Sequence, residues 1–179
     1  MRYVLLLRGV NVGGKNKVVM ADLKNNLEVM GYTHVKSYIN SGNVFFNSED
    51  AVEEMNENLH THFSHTYDFE LLFVILGADE FIQEYHNLPE WWQDDFARKD
   101  VLFYTDSIDK AALRQTIEAM NVGDEIIYFG ELAVYWGKYS EASYKKTAYA
   151  RYLIRTPFYK KMTIRNGKTF ERIYQMLLE

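Results

Sequence analysis

The first half of the chain carries its apolar residues in an order that few folds accommodate. Continuous or alternating apolar runs predict strands, and apolar residues three or four positions apart predict helices. These patterns predict a strand at residues 3–7, a helix at 20–30, strands at 34–39 and 43–47, a helix at 52–63 and a strand at 70–76. This is the strand–helix–strand–strand–helix–strand unit of ferredoxin-like folds.

The second half repeats the order without repeating the sequence. The same patterns predict a strand at 100–105, a helix at 113–120, a hairpin of 125–129 and 132–136, a helical stretch at 143–154, a strand at 161–164 and a terminal helix at 170–177. We therefore predict an α+β protein of two tandem ferredoxin-like (βαββαβ) subdomains with antiparallel sheets and a C-terminal helix. The predicted divisions are residues 1–77, a helical connection at 78–100, and 101–179, which ends in a basic, tyrosine-rich segment.

Two loops of the first subdomain are expected to meet. In this topology the loop after the first strand and the turn between the second and third strands lie at the same end of the sheet. The first and third strands are also neighbours there. The segments RGVNVGGKN (8–16) and NSGN (40–43) should therefore converge, with Arg8 close to Asn43.

The first of these loops has the spacing of a phosphate-binding loop. Gly9-x-x-x-x-Gly14-Lys15 lies between a predicted strand and a predicted helix, and such glycines let backbone N–H groups point at an anion. A nucleotide triphosphatase is disfavoured, because Asn16 replaces the magnesium-binding hydroxyl and the predicted sheet is antiparallel. Two interpretations stay open: anion binding by Arg8, Lys15 and the loop amides, or a purely structural turn in which Arg8 pairs with an acid.

Three segments together resemble a known bacterial family. RGVNVGGKNKVVM, YINSGNVFF and TIRNGKT are similar to the signature blocks of the family called domain of unknown function 1697. The resemblance covers nearly the whole chain and implies a family pattern that contains Arg8, Gly9, Asn11, Gly13, Gly14, Lys15, Ser41, Gly42, Asn43, Thr163, Arg165, Asn166 and Thr169. Gly167 departs from it, since a tryptophan is expected there. The resemblance implies positions and no chemistry.

Other catalytic and metal-binding patterns are weak. Ser143-x-x-Lys146 has the spacing of a lysine-activated serine but lacks the companion motifs of that class. His60, His62 and His65 crowd one helix end, where the helix dipole favours histidine without a metal. We predict no metal and no cofactor, and we assign no catalytic residue, so whether the chain is an enzyme stays open.

Composition favours a cytoplasmic protein with its own core. The chain is 47% hydrophobic and has no cysteine, which suits a reducing compartment. It shows neither a signal-peptide core nor the run of about 20 apolar residues that a membrane helix needs, so no membrane partner is expected. The formal charge of -5 is uneven, because residues 138–172 hold ten bases and two acids.

The basic C-terminal segment interleaves tyrosine with lysine and arginine. Tyr149, Tyr152 and Leu153 share one helical face and are predicted to lie in the core. Tyr139 and Tyr159 are candidates for exposure, as is Tyr144. Exposed tyrosines beside lysine and arginine side chains would suit the binding of a single-stranded nucleic acid. For the Trp91–Trp92 pair we favour burial over a partner surface.

We conclude that the principal predicted site binds an anionic or phosphorylated small ligand, or a nucleotide. Asparagine amides in it would supply directional hydrogen bonds. The predicted ligand-binding residues are Arg8, Asn11, Gly13, Gly14, Lys15, Asn16, Ser41, Gly42 and Asn43, completed by Arg165, Asn166 and Thr169. The alternative is single-stranded nucleic-acid binding by the C-terminal basic and aromatic face. Ligand identity and oligomeric state are not determined by the sequence.

Overall fold

The structure, a computed structural model, describes residues 1–139 and 144–179. These form two compact units, one of Met1–Ile82 with Gln175–Glu179 and one of Gln83–Tyr174. Each unit contains a four-stranded antiparallel sheet with the same strand order. The predicted α+β class with two ferredoxin-like sheets is confirmed. None of the described helices is both long enough and apolar enough to span a bilayer.

The first unit follows the predicted order closely. Its elements are β1 (Arg2–Leu7), α1 (Met20–Val29), β2 (Thr33–Tyr38), β3 (Asn43–Asn47), α2 (Val52–Thr66), β4 (Phe73–Gly77) and the start of α3 (Ala78–His86). The sheet order is β2-β3-β1-β4, with every neighbouring pair antiparallel. The central position of β1 explains why its sequence is almost wholly apolar.

Two helices cover one face of this first sheet. Leu23 and Leu27 of α1 and Leu59 and Phe63 of α2 are buried in a single core cluster with alternate residues of the strands. The apolar positions that predict the two helices are therefore the ones that pack. Because α1 and α2 are anchored in this way, the loop that enters α1 and the connection that leaves α2 have fixed positions at one end of the sheet.

The second unit repeats the sheet but not the second helical crossover. After α3 come a short 3-10 turn (Glu90–Gln93), β5 (Arg98–Phe103), α4 (Lys110–Glu118), β6 (Ile126–Phe129), β7 (Ala133–Lys138), α5 (Ala148–Arg151), β8 (Thr163–Asn166) and α6 (Gly167–Leu178). The sheet order is β6-β7-β5-β8, again antiparallel throughout. The predicted hairpin and terminal helix are both present.

The helical stretch predicted at residues 143–154 is broken into short pieces. Within the described part of this segment, α5 spans four residues and is flanked by 3-10 turns at Tyr144–Lys146 and Leu153–Arg155. Tyr152 leaves helical geometry, with φ -120° and ψ -56°. Further on, Pro157 disfavours helical geometry at Thr156, whose ψ is 153°. Ser143 lies outside the described residues.

This break also changes which tyrosines are buried. Tyr149 and Leu153 lie in the core of the second unit, whereas Tyr152 is 45% exposed. Its predicted core position is wrong because the helix that would turn it inward ends at Arg151. Of the tryptophan pair, Trp92 is buried and Trp91 is half-buried.

Candidate anion-binding site

The two predicted loops meet at one end of the first sheet. The backbone N–H of Leu7 donates to the Gly42 carbonyl oxygen over 2.8 Å, and the Asn11 side chain donates to the Asn40 carbonyl oxygen over 2.8 Å. The antiparallel pairing of β1 and β3, which sets Leu6 opposite Asn43, causes this approach. The predicted convergence of the two loops is confirmed.

Glycine is required at position 42. Its φ is +83°, and a Cβ built there would lie 2.5 Å from the Cβ of Leu7. Any other residue would both strain the backbone and collide with the first strand. The loop around Ser41 can approach β1 so closely only because residue 42 has no side chain.

Asn11 joins the two loops through its side-chain amide. Its Nδ2 donates to the carbonyl oxygens of Val18 and Asn40, at 2.9 and 2.8 Å, and its Oδ1 accepts from the Val18 N–H at 2.9 Å. Both amide hydrogens are thus used within the protein. The structure gives Asn11 the role of holding the loop in shape.

The Asn43 side chain is also held by hydrogen bonds within the protein, and it is more deeply buried than that of Asn11. It is wholly buried, and its Nδ2 donates to the Tyr38 carbonyl oxygen at 2.9 Å and to Ser41 Oγ at 3.1 Å. Its side chain therefore orders the turn between β2 and β3 from inside. Ser41 itself is half-buried.

The loop after β1 has an unusual backbone. Five of its residues have positive φ angles between 52° and 73°, namely Gly9, Asn11, Gly13, Gly14 and Asn16. Glycine and asparagine are the residues that adopt this conformation most easily. Residues of this conformation occur in the backbone nests whose N–H groups bind anions.

A few internal bonds hold this backbone in place. The Asn11 N–H donates to the Asn16 carbonyl oxygen and the Lys15 N–H to the Val12 carbonyl oxygen, each over 3.1 Å. The Asn16 side chain donates to the Gly9 carbonyl oxygen over 3.2 Å. The loop is therefore a closed turn with its ends tied together.

Several hydrogen-bond donors of the loop remain available. Within the part of the chain that the structure describes, the N–H groups of Gly13, Gly14 and Asn16 donate to no protein acceptor, and the Lys15 ammonium contacts no acid. All of these residues are exposed, while Arg8 at the start of the loop is half-buried. The loop thus presents free donors and positive charge at the surface.

A pocket of about 620 Å³ adjoins the loop. It is lined by Asn16, Lys17, Thr66, Tyr67, Asp68 and Phe69. The sequence did not predict the last residue of α2, Thr66, or the three residues that follow it as part of a site. The topology contains the signal, because in this fold the connection from the second helix to the last strand lies at the same end as the other two loops. The 2.8 Å bond from the Arg8 N–H to the Leu72 carbonyl oxygen agrees with this.

The three C-terminal site residues belong to the second unit. Arg165 is 6% exposed, burial lowers its pKa to about 10, and it donates to Thr163 Oγ1 at 3.1 Å. Thr169 is also buried. Asn166 is exposed and ends β8 directly before α6, and its Oδ1 accepts from the Thr169 N–H of that helix at 2.8 Å. Of the three, Asn166 is the residue whose side chain is at the surface.

Asn166 lines a second pocket, of about 540 Å³, in the second unit. Gly167 also lines it, next to Lys99. A Cβ at position 167 would lie 3.1 Å from the Cβ of Lys99. The glycine that departs from the family pattern therefore sits in a close contact in this chain.

The histidine-rich end of α2 makes local contacts. His65 Nδ1 lies 2.7 Å from the Thr61 carbonyl oxygen, and the His60 ring packs on Phe73 with centroids 4.5 Å apart. Across residues 1–139 and 144–179, no three or more histidine, aspartate or glutamate side chains are grouped so that they could hold a metal ion.

Comparison with known proteins identifies the family. The model of the family described as protein of unknown function (DUF1697) matches residues 1–135. The structure is similar to that of the conserved bacterial protein SP0830 from Streptococcus pneumoniae, with 52% sequence identity, a TM-score of 0.94 and 98% of each chain covered. No curated protein matches the chain significantly. The chain belongs to the DUF1697 family.

Proposed function

We propose that this protein binds an anionic, phosphorylated small ligand or a nucleotide at the loop of residues 8–16, beside the turn of residues 41–43. One observation carries the proposal: the N–H groups of Gly13, Gly14 and Asn16 have no protein acceptor, in a loop whose backbone is fixed. A phosphate offers several strong acceptor oxygens to such a group of donors.

Charge favours the same class of ligand. Lys15 and Lys17 are exposed on the loop, and each supplies a mobile ammonium that complements an anion. The loop lies between β1 and α1, as in phosphate-binding loops, but within an antiparallel sheet. Asn16 offers no hydroxyl for magnesium, so the proposal is a binding role and assigns no triphosphate hydrolysis.

The proposal also assigns no other reaction. Lys15 and Ser41 are the titratable and nucleophilic candidates that the two loops offer. Ser41 Oγ accepts a hydrogen bond from Asn43 Nδ2 over 3.1 Å, an interaction that orients the hydroxyl without removing its proton. General acid–base chemistry needs a group placed against the reacting atoms, and the loops themselves contain no carboxylate or imidazole.

A thermal-shift experiment tests this proposal. Wild type, Lys15→Ala and the matched control Lys36→Ala, an exposed lysine on β2, would be scanned against inorganic phosphate, pyrophosphate, sugar phosphates and nucleotides. A ligand at 100 times its dissociation constant stabilises the protein by about 2.7 kcal/mol, which is several degrees in Tm. We expect the shift in the wild type and in Lys36→Ala, with a smaller shift in Lys15→Ala. The absence of a shift with every anion would refute the proposal.

Single-stranded nucleic-acid binding by the C-terminal segment is the second candidate. Tyr152 is 45% exposed and Tyr139 is 54% exposed. The exposed basic residues of this segment are Lys145, Lys146, Arg151, Arg155, Lys160, Lys161 and Lys168. Exposed aromatic rings on which nucleobases can stack, next to lysine and arginine side chains, suit the binding of a single-stranded nucleic acid. Steep salt dependence and loss of affinity in Tyr152→Ala would support this function.

A cytoplasmic location forms part of the proposal. The absence of cysteine suits a reducing compartment, and phosphorylated metabolites and nucleotides are abundant there. Fractionation of cells that produce the tagged protein would test this location.

A further inference from the structure

We infer that the ligand of the loop is a guanine nucleotide whose base occupies the adjoining pocket. This inference rests on the proposed function and specifies its ligand. The base pocket is the space of about 620 Å³ lined by Asn16, Lys17, Thr66, Tyr67, Asp68 and Phe69. Its volume is within the range of small-molecule sites, about 300–1,000 Å³.

The base pocket and the loop are continuous through Asn16. This residue ends the loop of free donors and also lines the pocket. A ligand that places a phosphate on the N–H groups of Gly13 and Gly14 can therefore extend directly into the pocket. A nucleotide has this form, with an anionic end joined to a planar ring.

Two aromatic rings prepare the pocket for a planar ligand. The rings of Tyr67 and Phe69 lie with centroids 5.4 Å apart and an interplanar angle of 34°. Both are half-buried and pack against the core of the first unit, and Tyr67 also contacts the buried Phe63 at 5.9 Å. Rings that are fixed in this way offer a stacking surface at a small entropic cost.

The pocket lining offers several acceptors beside the Lys17 ammonium. The Asp68 carboxylate is exposed and has no partner within the described residues. Asn16 donates through Nδ2 to the Gly9 carbonyl oxygen, and its Oδ1 is an acceptor. The Thr66 hydroxyl donates to the His62 carbonyl oxygen at the end of α2, where the helix dipole is negative. The Asp68 carboxylate therefore favours a ring that carries N–H donors.

Guanine fits this requirement best among the common bases. A carboxylate accepts two parallel N–H groups, and guanine alone carries two adjacent donors on one edge, the N1–H and the 2-amino group. Adenine and cytosine offer an amino group beside an acceptor, and uracil offers one N–H between two acceptors. Asp68 is thus a specificity residue for guanine.

The charges of the loop and of the pocket also favour a ligand whose phosphate lies on the loop and whose base lies in the pocket. Lys15 belongs to the loop where the phosphate would bind, Lys17 follows that loop, and Asp68 brings a negative charge to the pocket lining. A phosphate next to Asp68 would be repelled, whereas a donor-bearing base would be attracted. The reversed orientation is therefore disfavoured.

Calorimetric titration tests the inference with GMP, AMP, xanthosine monophosphate and inorganic phosphate. The proteins are wild type, Asp68→Asn and the control Glu57→Gln, which neutralises an exposed carboxylate on α2 outside the pocket. We expect wild type and the control to bind GMP at least about tenfold more tightly than AMP. Asp68→Asn should lose this preference while it keeps its affinity for inorganic phosphate. Because its amide can donate to the 2-oxo group of xanthine, it should prefer xanthosine monophosphate to GMP.

The outcomes separate this inference from the function on which it rests. Equal binding of GMP and AMP, unchanged in Asp68→Asn, would overturn the guanine assignment and leave anion binding intact. If GMP, AMP and inorganic phosphate all fail to bind the wild type, the proposed function and the guanine assignment are both wrong.

Discussion

The side-chain nitrogen of Asn11 donates a hydrogen bond to the Asn40 carbonyl oxygen over 2.8 Å. Asn11 thereby ties the loop after β1 to the turn between β2 and β3, and its φ of +56° requires a residue that tolerates left-handed geometry. The two loops stand at one end of the sheet because β1 and β3 are paired. Their mutual position within that arrangement depends on this asparagine.

Two replacements of Asn11 should distinguish the stability that its side-chain hydrogen bonds contribute from the stability that depends on its backbone conformation. Asn11→Gly keeps the permitted φ and removes three side-chain hydrogen bonds, so we expect a loss of about 1–3 kcal/mol in the free energy of unfolding. Asn11→Ala should lose roughly 1 kcal/mol more because of the left-handed conformation. Urea denaturation of both variants measures the difference. Wild-type stability in Asn11→Gly would show that the link between the loops is unimportant.

Gly42 should tolerate alanine much less well than Gly31 does. Both have positive φ angles, but a Cβ meets Leu7 at 2.5 Å at position 42 and nothing within 4 Å at position 31. We expect Gly31→Ala to cost about 1–2 kcal/mol from backbone strain, and Gly42→Ala to cost a further 1–3 kcal/mol, approximately, from overpacking. Thermal and urea unfolding give both values. Equal costs would contradict the close approach of the turn to β1.

The buried ion pair of the second unit should show strong coupling. Lys138 Nζ lies 2.5 Å from Asp100 Oδ2, and the two side chains are 1% and 5% exposed. Burial lowers the pKa of Lys138, although Asp100 opposes this shift. Lys138→Met leaves a buried carboxylate without its partner and should cost about 3–5 kcal/mol. Asp100→Asn with Lys138→Met should cost less than the sum of the two single changes in a double-mutant cycle, and strict additivity would disprove the coupling.

The protein should lose stability in alkali partly through Tyr85. Burial, together with the hydrogen bond to Glu171, raises the pKa of Tyr85 to about 12. The stability that the neutral Tyr85 side chain contributes is therefore complete below the pKa of tyrosine in the unfolded chain, which is about 10. This stability is lost as the pH rises from about 10 toward 12. Tyr85→Phe should lose less stability between pH 9 and pH 11 than the wild type does, and Tyr152→Phe serves as the exposed control. Parallel curves for wild type and Tyr85→Phe would contradict this assignment.

The sheets could be predicted from the sequence because strand burial dominates the pattern. The apolar runs at β1 and β4 predict buried strands, and the chain order then fixes which loops share an end of the sheet. The second crossover could not be predicted in the same way. The spacing of Tyr149, Tyr152 and Leu153 fits one face of a helix, but the chain leaves helical geometry at Tyr152. Hydrophobic periodicity does not reveal such a local break.

The candidate site was predictable in position but less so in detail. The glycines and Lys15 mark a candidate anion-binding loop in sequence, and in the structure they form an exposed loop with free N–H donors. The burial of Asn43 and the internal use of the Asn11 amide depend on contacts with distant residues, which residue type cannot reveal. Tyr67 and Asp68 carry no motif, and only the topology indicates that they adjoin the loop.

The most direct measurement is an amide chemical-shift titration of ¹⁵N-labelled protein with inorganic phosphate and GMP. The account predicts that the largest shifts occur at the free N–H groups of Gly13, Gly14 and Asn16, and that they require higher ligand concentrations in Lys15→Ala than in Lys36→Ala. GMP should in addition shift the amides of Tyr67 and Asp68. Shifts that avoid the loop, or that are confined to the second unit, would contradict the account.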